Sequence, residues 1–244
     1  MPILDFEAWN SEKHTSIVKY EPIDDKNLFL IYNRNPRPHR VNFSIRLLKN
    51  DIFERGLLSL GDMNYYDDKT YIVEDYNKFQ FDYLKTNAPF TINTKPNLYY
   101  NLACDITISD YERTFISIIS ETLMDVDTIF ISEKTWKPIA QFHPFIIFGR
   151  PGVLSKLKEF GFKTFEPWID ESYDSIENND ERFDAIYFQV KKIQSLSHVD
   201  LIKMIEDMKD ILLHNNKLFL EYGKANNNIV AEVISQIKQL TKLI

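Results

Sequence analysis

The stretch Thr114–Gly152, TFISIISETLMDVDTIFISEKTWKPIAQFHPFIIFGRPG, decides the fold. Its opening, Phe115-Ile116-Ser117-Ile118-Ile119-Ser120, is a short apolar run rich in β-branched residues, the pattern of a strand buried on both faces. A turn through Asp125–Asp127 follows. Thr128-Ile129-Phe130-Ile131 then reads as a short strand leading into a helix that opens at Ser132, a good N-cap residue. Pro138, with its missing N–H and bulky ring, implies a kinked or short first turn there. Phe145-Ile146-Ile147-Phe148 is another buried strand, closed by Gly149-Arg150-Pro151-Gly152. After it, Val153, Leu154, Leu157 and Phe160 share one helical face, with Gly161 at the C′ position.

The same rhythm appears upstream. Leu28-Phe29-Leu30-Ile31-Tyr32 is a buried-strand run, stopped by Asn33-Arg34-Asn35-Pro36-Arg37-Pro38. Val41, Ile45, Leu48 and Ile52 then recur at helical spacing, with Gly56 as the stop. Strands that each feed a helix predict an α/β fold with a doubly wound, mostly parallel sheet. Tyr65–Asp105 reads as an irregular excursion with one helical segment near Lys78–Lys85. The tail from Asp180 is helical: Ser197 is an N-cap before the stripe Leu201, Ile205, Met208 and Leu212, and a last helix spans roughly Asn228–Leu243. The division is therefore a lead-in, or a remnant of a further lobe, over 1–27, an α/β domain over 28–195 and a helical segment over 196–244 that packs on it.

Composition narrows the function. With 44% hydrophobic residues in 244, the chain can bury a full core. Cys104 is the single cysteine, so no internal disulfide forms and a reducing, cytoplasmic setting is expected. Met1–Trp9 carries acids where a signal peptide carries bases, and no apolar run approaches a membrane span, so a soluble protein is expected. The net charge of −7 argues against gripping nucleic acid through a bulk positive field. Neither G-x-G-x-x-G nor G-x-x-x-x-G-K-[ST] occurs among the 6 glycines, so any phosphate must be held by other means.

Two segments supply such means. The basic loop Asn33–Arg40 sits between a strand's C-terminal end and a helix N-terminus, where α/β sheets bind ligands and helix amides favour anions. Arg37 and Arg40 can offer guanidinium forks to a phosphate; a solvated turn paired with surface carboxylates is the alternative. Ser132-Glu133-Lys134 has a similar address, Glu133 able to accept from a ribose diol and Lys134 able to meet a diphosphate. An ordinary capped helix start explains the same residues. Glu121, at a strand's C-terminal edge, either faces the ligand crevice or caps the next turn. Asp125-Val126-Asp127 matches a metal-binding D-x-D pattern, but two aspartates so spaced are common and no metal is expected. The five histidines show no ligand spacing, His143 before Pro144 reads as structural, and no G-x-S-x-G elbow is present.

In the order and spacing of its parts, Thr114–Gly152 resembles the donor-binding motif of the α1,3-fucosyltransferases. That motif has an apolar strand ending in glutamate, a short loop, Ser or Thr before Glu-Lys, a helix, and a strand ending in Gly-x-Pro. LFLIYNRNPRPHRVNFSIRLL upstream is similar to that family's strand, Asn-containing loop and arginine-led helix. More loosely, the chain resembles short glycosyltransferase-like proteins of large phages and viruses. The resemblance implies a Rossmann-like lobe of a GT-B fold that binds a nucleoside diphosphate sugar, a GDP-sugar above all, without a metal cofactor. Carried over, Arg40 and Lys134 would contact the diphosphate and Glu133 the ribose, with Glu121, Thr122 and Phe130 lining the pocket. Asn33, Arg37 and Ser132 complete the expected donor site. The expected activity is sugar transfer to a glycan or other hydroxyl acceptor, with a non-catalytic nucleotide-sugar-binding module as the alternative. The family's acceptor lobe has no counterpart in residues 1–27, a second chain could supply it, and no catalytic base is assigned.

Overall fold

The computed structural model describes residues 27–65, 70, 71, 73–92, 106–124 and 127–240, apart from the side chains of residues 76 and 225–240. Four parallel strands form one sheet in the order β2-β1-β3-β4, with β1 at Phe29–Asn33, β2 at Gly56–Leu60, β3 at Ile116–Ser120 and β4 at Phe145–Phe148. Helices flank it: α1 (Pro38–Lys49), α2 (Lys78–Asn87), α3 (Ile108–Glu112), α4 (Glu133–Ala140), α5 (Val153–Glu159), α6 (Asn179–Gln194), α7 (His198–Asp207) and α8 (Lys209–Leu240). The fold is α/β and Rossmann-like, as the strand-helix rhythm predicts.

Side-chain alternation builds the layers. In β4, Phe148 packs against Phe43 of α1 and Phe183 of α6, at ring-centroid distances of 5.2 and 4.2 Å. Phe145, three residues earlier and on the opposite face, meets Phe165 at 5.0 Å. A strand covered on both sides has no reason to alternate apolar with polar, which is why FIIF reads as an unbroken apolar run. Burial of such a phenylalanine contributes about 1.5–3 kcal/mol. Behind the functional edge, Trp136 of α4 is 1% exposed and stacks on Phe219 of α8. Asn216 of α8 donates to the Ala140 carbonyl at 3.0 Å, closing the C-terminal end of α4.

Four expectations need correcting. Thr128–Ile131 is not a strand but an irregular approach to α4. β3 is already paired on one side with β1 and on the other with β4, so no free ladder remains beside it. Gly56 does not stop a helix; it begins β2, where a Cβ would come within 2.3 Å of the Phe29 ring on the neighbouring strand. Helix α1 ends earlier, through Asp51 at φ 56, with Asp51 N–H donating to Leu48 O and Ile52 N–H to Leu47 O. Strand β2 is a further addition, since GLLSL follows the presumed helix stop and lacks β-branched residues. The last helix starts at Lys209 rather than near Asn228, after a break from α7 at Met208 that divides the stripe Leu201–Leu212 between two helices.

Other local readings hold. Ser197 caps α7 by accepting from Asp200 N–H. Gly161 lies at φ 86, where Phe162 N–H reaches Leu157 O and Gly161 N–H reaches Lys158 O, closing α5. The helical segment expected near Lys78–Lys85 is α2. The lead-in through residue 26, Asp125, residues 93–105 with Cys104, and Leu243 lie outside the described residues. No helix among the described residues is long and apolar enough to cross a membrane.

Candidate functional site

The chain leaves the central strand β1 toward β2 on one side and returns to β3 on the other, so the connections diverge between β1 and β3. A crevice at the carboxyl ends of the strands is expected at such a switch point. Both predicted ligand segments arrive there: Asn33 ends β1 and feeds the basic loop into α1, while Ser120 ends β3 and is followed by Glu121 and Thr122. Residues that lie 80 or more positions apart in sequence meet at this edge, as the contact of His39 Nε2 with Glu121 O at 3.0 Å shows. The ring nitrogen carries the hydrogen, since a carbonyl only accepts.

Arg40 does not present an open clamp. It is 2% exposed, and its guanidinium donates to Ser120 Oγ at 3.3 Å, Ser120 O at 3.1 Å and Asn35 O at 3.0 Å. The side chain therefore staples the β1–α1 loop to the end of β3 and buries its charge at the carboxyl edge of the sheet. Two residues that sequence reading passes over finish the loop. Gly61 approaches so closely that a Cβ would stand 1.9 Å from the Arg34 carbonyl oxygen, and Tyr71 donates its hydroxyl to Pro36 O at 2.9 Å. Their signal is tertiary: neither lies in a recognisable motif.

Glu121 fills the capping role that sequence reading left open beside the ligand role. It is fully buried, and Oε1 accepts from Ser132 N–H at 3.0 Å and from Thr135 Oγ1 at 2.6 Å. With Ser132 Oγ accepting from Lys134 N–H at 3.3 Å, the N-terminus of α4 is held by the protein's own groups. Thr135 is thus a site-shaping residue outside the expected set. Lys134 Nζ lies 2.7 Å from Glu133 Oε1 and 3.3 Å from Thr122 Oγ1, so Glu133, Lys134 and Thr122 form one cluster. Burial alone would raise the Glu133 carboxyl, but the charge and hydrogen bond of Lys134, with a backbone hydrogen bond and the Lys137 charge, together outweigh it and hold the group below its ordinary range. Phe130 is 37% exposed on the approach to α4. Pro138 sits inside α4, which persists for 8 residues.

Three polar atoms of this region remain unanswered. Asn33 Oδ1, Arg37 Nε and Glu121 Oε2 are buried and make no hydrogen bond with the described residues. Asn33 is 1% exposed and Glu121 fully buried, where an unsatisfied group costs about 1–3 kcal/mol. Five other such atoms lie elsewhere among the described residues, so what distinguishes these three is their shared place at the carboxyl edge of the sheet. His39 stays neutral: burial first, then the Arg40 charge, lowers it to about 3. His143 is structural, donating from Nε2 to Thr114 O and accepting at Nδ1 from Ser117 Oγ, and burial lowers it to about 4. Of the D-x-D pair, Asp127 is exposed and faces Arg150 Nη1 at 3.7 Å. Comparison with known protein families, curated proteins and solved structures finds no match for this chain.

Proposed function

We propose that the crevice between β1 and β3 binds a nucleoside diphosphate sugar, with a GDP-sugar favoured, and that the chain is the donor-binding part of a glycosyltransferase. The observation that carries this reading is the convergence of the Asn33–Arg40 loop and the Glu121–Lys134 segment at one switch point, with Asn33 Oδ1, Arg37 Nε and Glu121 Oε2 buried and unanswered. A nucleotide sugar carries both chemistries such a set wants: hydroxyl or amine donors for the oxygens, and a diphosphate for the cations. Lys134 and Arg37 are the direct phosphate contacts in this scheme. Arg40 supplies field and shape, because its donors are committed to carbonyls and a hydroxyl.

Such an enzyme lowers its barrier by stabilising charge on the leaving diphosphate, a role for the cations at this edge. The acceptor is a hydroxyl of a glycan or another molecule. The donor diphosphate is met by side-chain cations in this scheme, with no metal. The single cysteine fits a cytoplasmic protein. A second reading, a nucleotide-sugar-binding module without turnover, has one observation in its favour: Glu121 Oε1 and Glu133 are both committed to partners within the protein, and neither is placed as a general base.

Glu121→Gln is the sharpest test. Glutamine keeps one carbonyl oxygen for Ser132 N–H and Thr135 Oγ1 but replaces the second acceptor by a donor. The variant should fold with near-normal stability and bind GDP-sugar at least about tenfold more weakly, equivalent to about 1.4 kcal/mol. Saturable binding by wild type that is unaltered in Glu121→Gln and in Lys134→Ala would sink the site assignment. Donor hydrolysis or transfer by the isolated chain separates the enzyme from the module.

A further inference from the structure

A second concavity lies at the same sheet edge but outside the β1–β3 crevice. It has a volume of about 740 Å³ and is framed by the β4–α5 connection, the first turns of α5, the segment 166–177 and Lys192 of α6. That volume lies within the range of small-molecule sites. It lies beside the approach to α4: Asp127 faces Arg150 at 3.7 Å, and the Ile129 Cδ1 stands 3.3 Å from where a Cβ on Gly152 would be.

The carboxylates of the floor are hydrogen-bonded within the protein. Asp174 accepts from Leu154 N–H and Ser155 N–H at 3.0 Å each, while Glu171 accepts from Phe165 N–H and Thr164 Oγ1 at 2.7 Å each. The wall and rim are different. Trp168 is half-buried, packs in part against the core and lines the cleft, and no acceptor among the described residues takes its indole N–H. Around it stand exposed Glu177 as an acceptor and the hydroxyls of Ser155 and Ser172, which can donate and accept. Asp170 Oδ1 already accepts from Ser172 N–H at 3.0 Å, and its second oxygen can accept again. Lys192 donates to Trp168 O at 3.4 Å and keeps further donors. The lining holds five carboxylates against two lysines, which repels phosphates and nucleotides.

We infer that this cleft binds a neutral saccharide, its ring face laid on Trp168 and its hydroxyls shared among Ser155, Asp170, Ser172, Glu177 and Lys192. A sugar hydroxyl donates and accepts at once, which suits a rim mixing acceptors, a donor and hydroxyls. The apolar C–H face of a pyranose suits the indole, whose remaining N–H reaches a further oxygen. This inference stands on the cleft alone and does not depend on the nucleotide reading of the crevice.

The test uses the full chain without nucleotide. Neutral and N-acetylated oligosaccharides are screened on a glycan array, and hits are titrated while the Trp168 indole N–H resonance and tryptophan fluorescence are followed. The expected result is a saturable shift of that resonance. Affinity should fall about tenfold in Trp168→Ala and comparably in the rim variant Ser155→Ala with Glu177→Ala, which alters only exposed side chains that make no hydrogen bond with the described residues and so guards against misfolding of the first. If no saccharide moves the Trp168 resonance, if binding survives both variants, or if GDP or magnesium gives the same shift as the sugars, the inference is wrong. Loss of GDP-sugar binding in Glu121→Gln leaves it untouched, so the two sites fail separately.

Discussion

Replacing Arg40 by alanine separates two roles that look identical in sequence. A diphosphate clamp would cost binding and spare the fold. The observed side chain is 2% exposed and donates to Ser120 Oγ, Ser120 O and Asn35 O. Hydrogen bonds from a charged donor contribute about 1.5–3 kcal/mol each, but their losses are not additive. Truncation leaves two carbonyls without this donor and a void beneath the β1–α1 loop. Each buried acceptor left unsatisfied costs about 1–3 kcal/mol, so the loss is a large share of a typical total stability of about 5–15 kcal/mol. Urea unfolding followed by circular dichroism should therefore show a much lower midpoint at unchanged slope. Arg40→Lys, keeping a charge but losing the fork, should fall between. Lys134→Ala is the counterpart: its pair with Glu133 is partly exposed, and such pairs contribute about 0–1 kcal/mol, so stability should hardly move while GDP-sugar affinity falls. An Arg40→Ala protein with wild-type stability and abolished nucleotide binding would refute the reasoning and restore the clamp.

Other outcomes follow from the same contacts. Gly61→Ala places a methyl 1.9 Å from the Arg34 carbonyl oxygen, so the loop must shift; we expect a loss of about 2–4 kcal/mol in denaturant unfolding, in the range of overpacked cores and strained backbone, with weaker nucleotide binding. His143 sets an acid limit. Its folded value, lowered to about 4, lies below the unfolded one, so the unfolded chain binds the extra proton as pH falls. Its contribution is present above about pH 6.5 and is lost toward pH 4, costing on the order of 3 kcal/mol. In His143→Gln this part of the pH dependence of the unfolding midpoint should vanish; an unchanged acid limb would show that another group carries it. Phe148→Ala should cost about 3–5 kcal/mol, because its ring joins Phe43, His39 and Phe183, and thermal unfolding reads the loss directly.

By itself the sequence determined what depends on near neighbours. The largely apolar runs at Leu28–Tyr32, Phe115–Ser120 and Phe145–Phe148 fix strands covered on both faces, and Ser132, Ser197 and Gly161 mark helix ends through hydrogen bonds that span a few residues. Position after a strand also placed Asn33 and Glu121 at the carboxyl edge of the sheet. What the tertiary structure alone decided depends on groups far apart in the chain. Whether Arg40 points at a ligand or at Ser120, 80 residues away, is a contest between a phosphate and two carbonyls that no local pattern records. The same holds for Glu121, whose Oε1 is taken by Thr135 and Ser132, and for Thr128–Ile131, denied a ladder because β1 and β4 already flank β3. Hydrogen-bond valence and sheet edges are finite, and only the folded chain shows which claimant fills them.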